Sequence, residues 1–288
     1  MKNFKIVALL LTFALASQCK SEKKDDSSST LALLALVSSA STSSCTTSFG
    51  AGVPDWIKNS FTCVTVSVSG TNYVFKTNSL PTYKSAYWAS TNSLYESALY
   101  SNSTKSNAVN PNKISSQNVT LTIPTNNTTT NAGSVAGGAV GVATNGIILY
   151  NDAAAPGDSL STEYYSFDTS QGHPTNTGAY HYHVEPPKLS NNDSKMIGIA
   201  LDGYLVFGKK HDSTANPTTG FTLGGSTSST KCIVSGKETE VPETWDQAAN
   251  YNLSKTSGTA RHYHVNNGSE VNGILISGRY IGTAGTSN

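Results

Sequence analysis

The sequence predicts a mainly β domain, an antiparallel sandwich or open barrel-like sheet with about one helix. Three observations lead there: short segments of alternating polarity, two Asn/Asp-Gly hairpin signals between apolar runs, and long loops rich in Gly, Ser, Thr and Asn. About 240 of the 288 residues follow the N-terminal segments, enough for one large domain with its own core.

Those N-terminal segments read as export signals. Lys2 and Lys5 precede an apolar run from Ile6 to Ala16, and polar residues lead to Cys19. A basic start, a short apolar stretch and a small-residue zone define a secretory signal. The run is too short for a membrane-spanning helix, which needs about 20 apolar residues. Ala16-Ser17-Gln18-Cys19 resembles a relaxed lipobox, with an unusual Gln before the cysteine. The expectation is a signal peptide over 1–18, a lipidated Cys19 with a flexible tether over 19–45, and the β domain over 46–288. Ser, Lys and Asp dominate the tether and cannot bury enough surface to fold. The apolar patch Leu31–Val37 does not suit a spacer and can lie on a bilayer or dock on the domain.

Charge narrows the partners. Cleavage after Gln18 removes two of the 19 basic residues and none of the 18 acidic ones, leaving a net charge of −1. Only Arg261 and Arg279 carry guanidinium groups, so nucleic-acid binding is not expected. The expected partner is a membrane, through the lipid anchor, in a bacterial cell envelope. Beyond Cys19 the chain has Cys45, Cys63 and Cys232, an odd number for an exported protein. Cys45 and Cys63 are closest in sequence, but spacing does not establish pairing.

Along the domain, Phe61–Val68 and Tyr73–Lys76 flank a turn signal at Ser69-Gly-Thr-Asn72 and form a hairpin. Tyr83–Tyr100 lacks internal Gly and Pro and predicts the helix. Asn118–Pro124 alternates as a strand. An internal repeat follows. Gly141-Val-Ala-Thr-Asn-Gly-Ile-Ile-Leu-Tyr150 matches Gly198-Ile-Ala-Leu-Asp-Gly-Tyr-Leu-Val-Phe207. Asn-Gly and Asp-Gly between apolar runs predict hairpins with type I′ turns. A histidine strand follows each copy, Tyr180-His-Tyr-His-Val184 and Arg261-His-Tyr-His-Val265. The domain therefore reads as two related halves.

Four of the six histidines stand in these triplets. Residues i and i+2 of a strand share a face, so each triplet offers two imidazoles roughly 6.5–7 Å apart. If the halves pack together, His181, His183, His262 and His264 meet at one site, with His173 from the Gln-Gly-His loop as a fifth. Imidazole clusters suit transition ions, here copper or zinc. Asp202, Tyr182 and Tyr263 are candidate supports for the imidazoles, although Asp202 also reads as a turn former. His211 reads as a solvated loop residue. Tyr164, Tyr165 and Asp168 can line a pocket or serve as ordinary strand residues. The residues leave other readings open: a structural histidine network in an adhesion or interaction module, and a metal-dependent hydrolase or oxidase with an open coordination position. Catalytic residues are not identifiable.

Gly178-Ala-Tyr-His-Tyr-His-Val-Glu-Pro186, followed by Ile197–Gly208, resembles the YHYH-domain family, named for this motif. The resemblance extends to Leu80–Trp88, Ile123-Pro124, Gly141–Asp152 and Arg261–Gly282. It implies a shared domain and gives weight to the His181/His183 pair, without an established activity. The chain departs from the family at Tyr83, where the family tends to carry His. It also departs near Ser170 and Ser277, where the family often has Cys, and at Arg261, where it often has Tyr.

The export reading predicts that a fatty-acid analogue labels the wild-type protein and not Cys19→Ala. Equal labelling of both ends the lipid-anchor expectation.

Overall fold

The structure is a computed structural model describing residues 45–98, 110–125, 135, 137–155, 158–190, 195–208, 233–234, 237–238, 263–265, 275–276, 280 and 282–288. All lie in the unit Ser39–Asn288. Cys19, the Leu31–Val37 patch, His211, Cys232 and His262 fall outside the described residues.

In chain order the elements are β1 (Ser48–Phe49), α1 (Asp55–Ser60), β2 (Thr65–Ser69), β3 (Asn72–Thr77), β4 (Val119–Pro124), β5 (Ala139–Ala143) and β6 (Ile148–Tyr150). Next come α2 (Leu160–Glu163), a 3-10 turn over Tyr164–Ser166, β7 (Gly172–Pro174), β8 (Tyr180–Tyr182), β9 (Met196–Ala200) and β10 (Leu205–Phe207). The last strands are β11 (Ile233–Val234), β12 (Lys237–Glu238), β13 (Tyr263–His264) and β14 (Thr286–Ser287).

The architecture is mainly β, as expected, but the sheets are mixed rather than purely antiparallel. One sheet has the order β1-β2-β3-β4-β14 and the other β13-β10-β9-β5-β6-β8-β7. Parallel pairs occur at β1/β2, β6/β8 and β10/β13. The predicted hairpin is β2 and β3, and Asn118–Pro124 becomes β4 with alternating burial. Phe75, Leu121 and Ile123 of the first sheet share one core with Val142, Leu149 and Ile199 of the second. Trp56 and Ile57 of α1 fill the same core. A Cys45–Cys63 disulfide ties the start of the described chain to the loop before β2.

The helix expected at 83–100 is absent over residues 83–98, which form turns joined by a bridge between Ser85 and Tyr95. Ser85 Oγ accepts from Tyr87 N (3.1 Å) and Asn92 Oδ1 from Leu94 N (2.8 Å). Such local side-chain bonds compete with the helical ladder.

The repeat is structural. β5 and β9 pair at the centre of the larger sheet as Gly141↔Ala200, Val142↔Ile199 and Ala143↔Gly198. Exchanging the two halves maps the first and third pairs onto each other and the middle pair onto itself, which is a local two-fold relation. It extends outward: Leu149 of β6 faces Tyr182, and its repeat partner Val206 of β10 faces Tyr263. Both turns match as well. Ala143 N donates to Ile147 O and Gly146 N to Ala143 O; Ala200 N donates to Tyr204 O and Gly203 N to Ala200 O. Among the central turn residues only Gly146 and Gly203 have positive φ, +81° and +85°. These are type I turns closed by a left-handed glycine, not the expected type I′ turns. Asn145 Nδ2 donates to Tyr182 Oη (3.0 Å), and Tyr263 Oη donates to Asp202 Oδ2 (2.6 Å), so each turn holds the middle tyrosine of its own half's triplet.

Candidate metal centre

A short hairpin brings the first histidines together. Asp168 organises the turn that leads into it: its carboxylate accepts from Ser170 N (2.8 Å), Gly172 N (3.2 Å) and, across the hairpin, Tyr180 Oη (2.8 and 2.9 Å). Burial pushes the Asp168 carboxyl up to about 6, against these hydrogen bonds. A side chain at Gly172 would meet the Tyr180 ring at 2.5 Å, so the close approach of that ring to the start of β7 requires glycine there. The hairpin sets β7 against β8 with His173 directly opposite His181. Strand alternation then puts His181 and His183 on one side of β8 and Tyr180 and Tyr182 on the other.

His173, His181 and His183 are all buried, at 1%, 3% and 2% exposure. One ring nitrogen from each lies within 4.8 Å of those of the other two. Tyr150 stacks on His181 at 4.0 Å, and Phe167 lies parallel to His183 and edge-on to His173. Burial in this aromatic shell holds His173 and His181 well below the usual imidazole range and His183 down at about 4; nearby imidazoles depress His173 and His181 further. All three rings are therefore neutral near pH 7.

A neutral imidazole has one N–H, and its neighbours fix which nitrogen holds it. Main-chain carbonyls only accept, so His181 Nδ1 donates to Ala179 O (2.8 Å) and His183 Nδ1 to Asn151 O (2.5 Å). Ser166 Oγ donates to Glu163 O (2.7 Å) and accepts from His173 Nδ1 (2.7 Å). Each Nε2 is then bare. The Nε2 atoms of His181 and His183 lie 2.9 Å apart, lone pair toward lone pair. His173 Nε2 is buried without a hydrogen-bond partner. The Glu163 carboxylate lies alongside, with Oε1 3.7 Å from His173 Nε2 and Oε2 buried without a partner. Burial, then the neighbouring Asp158, raises the Glu163 carboxyl.

Of the five histidines expected to converge, His173, His181 and His183 do so, His264 stands apart, and His262 lies outside the described residues. β8 and β13 lie toward opposite ends of the seven-stranded sheet, with β6, β5, β9 and β10 between them. Five interstrand steps of about 4.8 Å separate them by roughly 24 Å. His264 stands in β13, beside Phe207 of β10. The expected supports are corrected too. Tyr182 bonds Asn145 and Tyr83 on the face away from the imidazoles. Asp202 is a turn former that also accepts from Tyr263 Oη and Gly282 N (3.0 Å), and Tyr263 is its partner in the second half. Tyr164 and Tyr165 belong to the 3-10 turn leading to Ser166.

A family model described as YHYH protein matches residues 118–281. The chain belongs to the YHYH protein family. No curated protein and no solved structure matches the chain. The motif Tyr180–His183 supplies two of the three clustered histidines. Tyr83, where the family tends to carry His, bonds Tyr180 and Tyr182 on the far side of β8, so this departure leaves the three-histidine cluster untouched. Sequence reasoning missed Glu163, Ser166 and the Asn151 and Ala179 carbonyls. No spacing in the chain marks them, and the two carbonyls have no side-chain signature.

The depressed imidazoles set the pH response of the metal-free protein. Between pH 6.5 and about 4 the unfolded chain binds a proton at His183 that the folded chain refuses, so stability falls as pH falls. His183→Gln removes that group. The stability advantage of wild type over this variant should shrink by about 2 kcal/mol between pH 7 and pH 5 in urea unfolding. A constant or growing advantage contradicts the neutral assignment.

Proposed function

We propose that this protein is a metal-binding protein of the bacterial cell envelope, lipid-anchored through Cys19, whose site is His173, His181 and His183. The observation that supports the site most is the convergence of one ring nitrogen from each of three buried histidines, whose Nδ1 atoms are already committed to Ser166 Oγ, Ala179 O and Asn151 O. Metal-bound histidines almost always have their outer N–H oriented by such an acceptor. A purely structural network would instead give each inner nitrogen a donor. A divalent ion satisfies all three lone pairs at once and links its binding free energy to folding. Three neutral nitrogens suit zinc or copper. The signal layout and the polar segment after Cys19 support the anchor.

A second reading comes from the 2.9 Å spacing of His181 and His183, which also fits one proton shared between two rings. Burial in an aromatic shell argues against a protonated pair near neutral pH.

Full chain purified without a histidine tag should bind one Zn²⁺ per molecule in calorimetry. His173→Ala, His181→Ala and His183→Ala should each weaken binding more than about 100-fold, beyond the loss typical of a supporting residue. His262→Ala should leave it unchanged, because the next residues of its triplet, Tyr263 and His264, form β13 at the other end of the sheet. Absence of binding by the wild type, or equal losses at His262 and His181, overturns the proposal.

A further inference from the structure

Among the described residues beside the three imidazoles is a carboxylate, Glu163, delivered by the end of α2. The segment from Glu163 to Phe167 touches the site repeatedly. Glu163 O accepts from Ser166 Oγ, Ser166 Oγ accepts from His173 Nδ1, and the Phe167 ring covers His173 and His183. The same residue that orients Ser166 through its carbonyl brings its carboxylate to 3.7 Å from His173 Nε2.

The spacing is informative. Glu163 Oε1 and His173 Nε2 are 3.7 Å apart, too long for a hydrogen bond, and His173 Nε2 bears no hydrogen to donate. Two acceptors at this distance repel unless a cation stands between them. Metal–ligand distances of about 2.0–2.1 Å place neighbouring ligands of a tetrahedral ion roughly 3.3–3.4 Å apart. The His173–Glu163 spacing of 3.7 Å is near that edge length, while Glu163 lies outside the three-histidine group whose ligand atoms all sit within 4.8 Å of one another, so its side chain must turn inward to reach a shared ion. Glu163 Oε2 and His173 Nε2 are also the two atoms of this group that are buried without a partner.

We infer that Glu163 is the fourth ligand, closing the site as a three-histidine, one-carboxylate centre for a divalent transition ion. This rests on the three-histidine site proposed above. Four protein ligands leave a tetrahedral ion no position for water or substrate, so the centre retains its ion rather than exposing it to chemistry. Glu163 is also the ligand nearest solvent, at 20% side-chain exposure against 1% for His173, so the ion enters past it.

Cobalt(II) is the probe, because its visible spectrum reports coordination. Wild-type full chain should bind one Co²⁺ with a four-coordinate spectrum that added azide does not alter. Glu163→Gln should bind at least tenfold more weakly and acquire an azide-sensitive spectrum, while its metal-free circular dichroism matches the wild type. Glu163→Ala is the second variant, and acetate should restore its wild-type spectrum. If wild type and Glu163→Gln bind with equal affinity, or both respond to azide, Glu163 is not a ligand and the three-histidine site stands without it. If the wild type binds no Co²⁺, both readings fall.

Discussion

Each imidazole of the cluster is held by the hydrogen bond its Nδ1–H makes away from the cluster, and the chemistry of the site depends on those three bonds. Two of the acceptors are main-chain carbonyls, which cannot exchange roles with the ring. The third is a serine whose own hydroxyl hydrogen is directed to Glu163 O. The acceptors dictate the tautomers, the tautomers leave bare nitrogens, and burial keeps protons off them. Without those outer acceptors, one inner nitrogen would donate to another and the cluster would be an ordinary hydrogen-bonded network.

The rest of the fold serves that placement. Asp168 shapes the turn into β7 and bonds Tyr180, so the far face of β8 is tied down by a carboxylate and tyrosines while the near face carries histidines. The local two-fold relation gives β8 a counterpart in β13, but β7 has no repeat partner in the described part of the sheet. Among the described residues, His173 on β7 belongs to the first half alone. Tyr150, which stacks on His181, also corresponds to Phe207 in the second half, so the aromatic surroundings are related but not identical.

Much of this was legible in the sequence. The His-x-His alternation placed His181 and His183 on one face, the Gln-Gly-His loop supplied His173, and the two Gly-x-Ala-x-Asn/Asp-Gly segments announced the two halves. The packing of the halves was not legible. The same repeat suits triplets that meet and triplets that diverge, and pairing β5 with β9 at the centre sends β8 and β13 toward opposite ends. The helix expected at 83–100 failed because Ser85 and Asn92 satisfy local backbone groups that the apolar spacing ignores. Glu163 was invisible because only the fold, and no spacing in the chain, brings its carboxylate to 3.7 Å from His173 Nε2.

Nitrogen-resolved NMR of the metal-free protein near pH 7 tests the central claim most directly, since long-range proton–nitrogen couplings report which ring nitrogen holds the hydrogen. His173, His181 and His183 should each appear as the neutral form protonated at Nδ1 with a bare Nε2. An Nε2–H on His181 or His183, or a doubly protonated ring in that pair, would contradict the account.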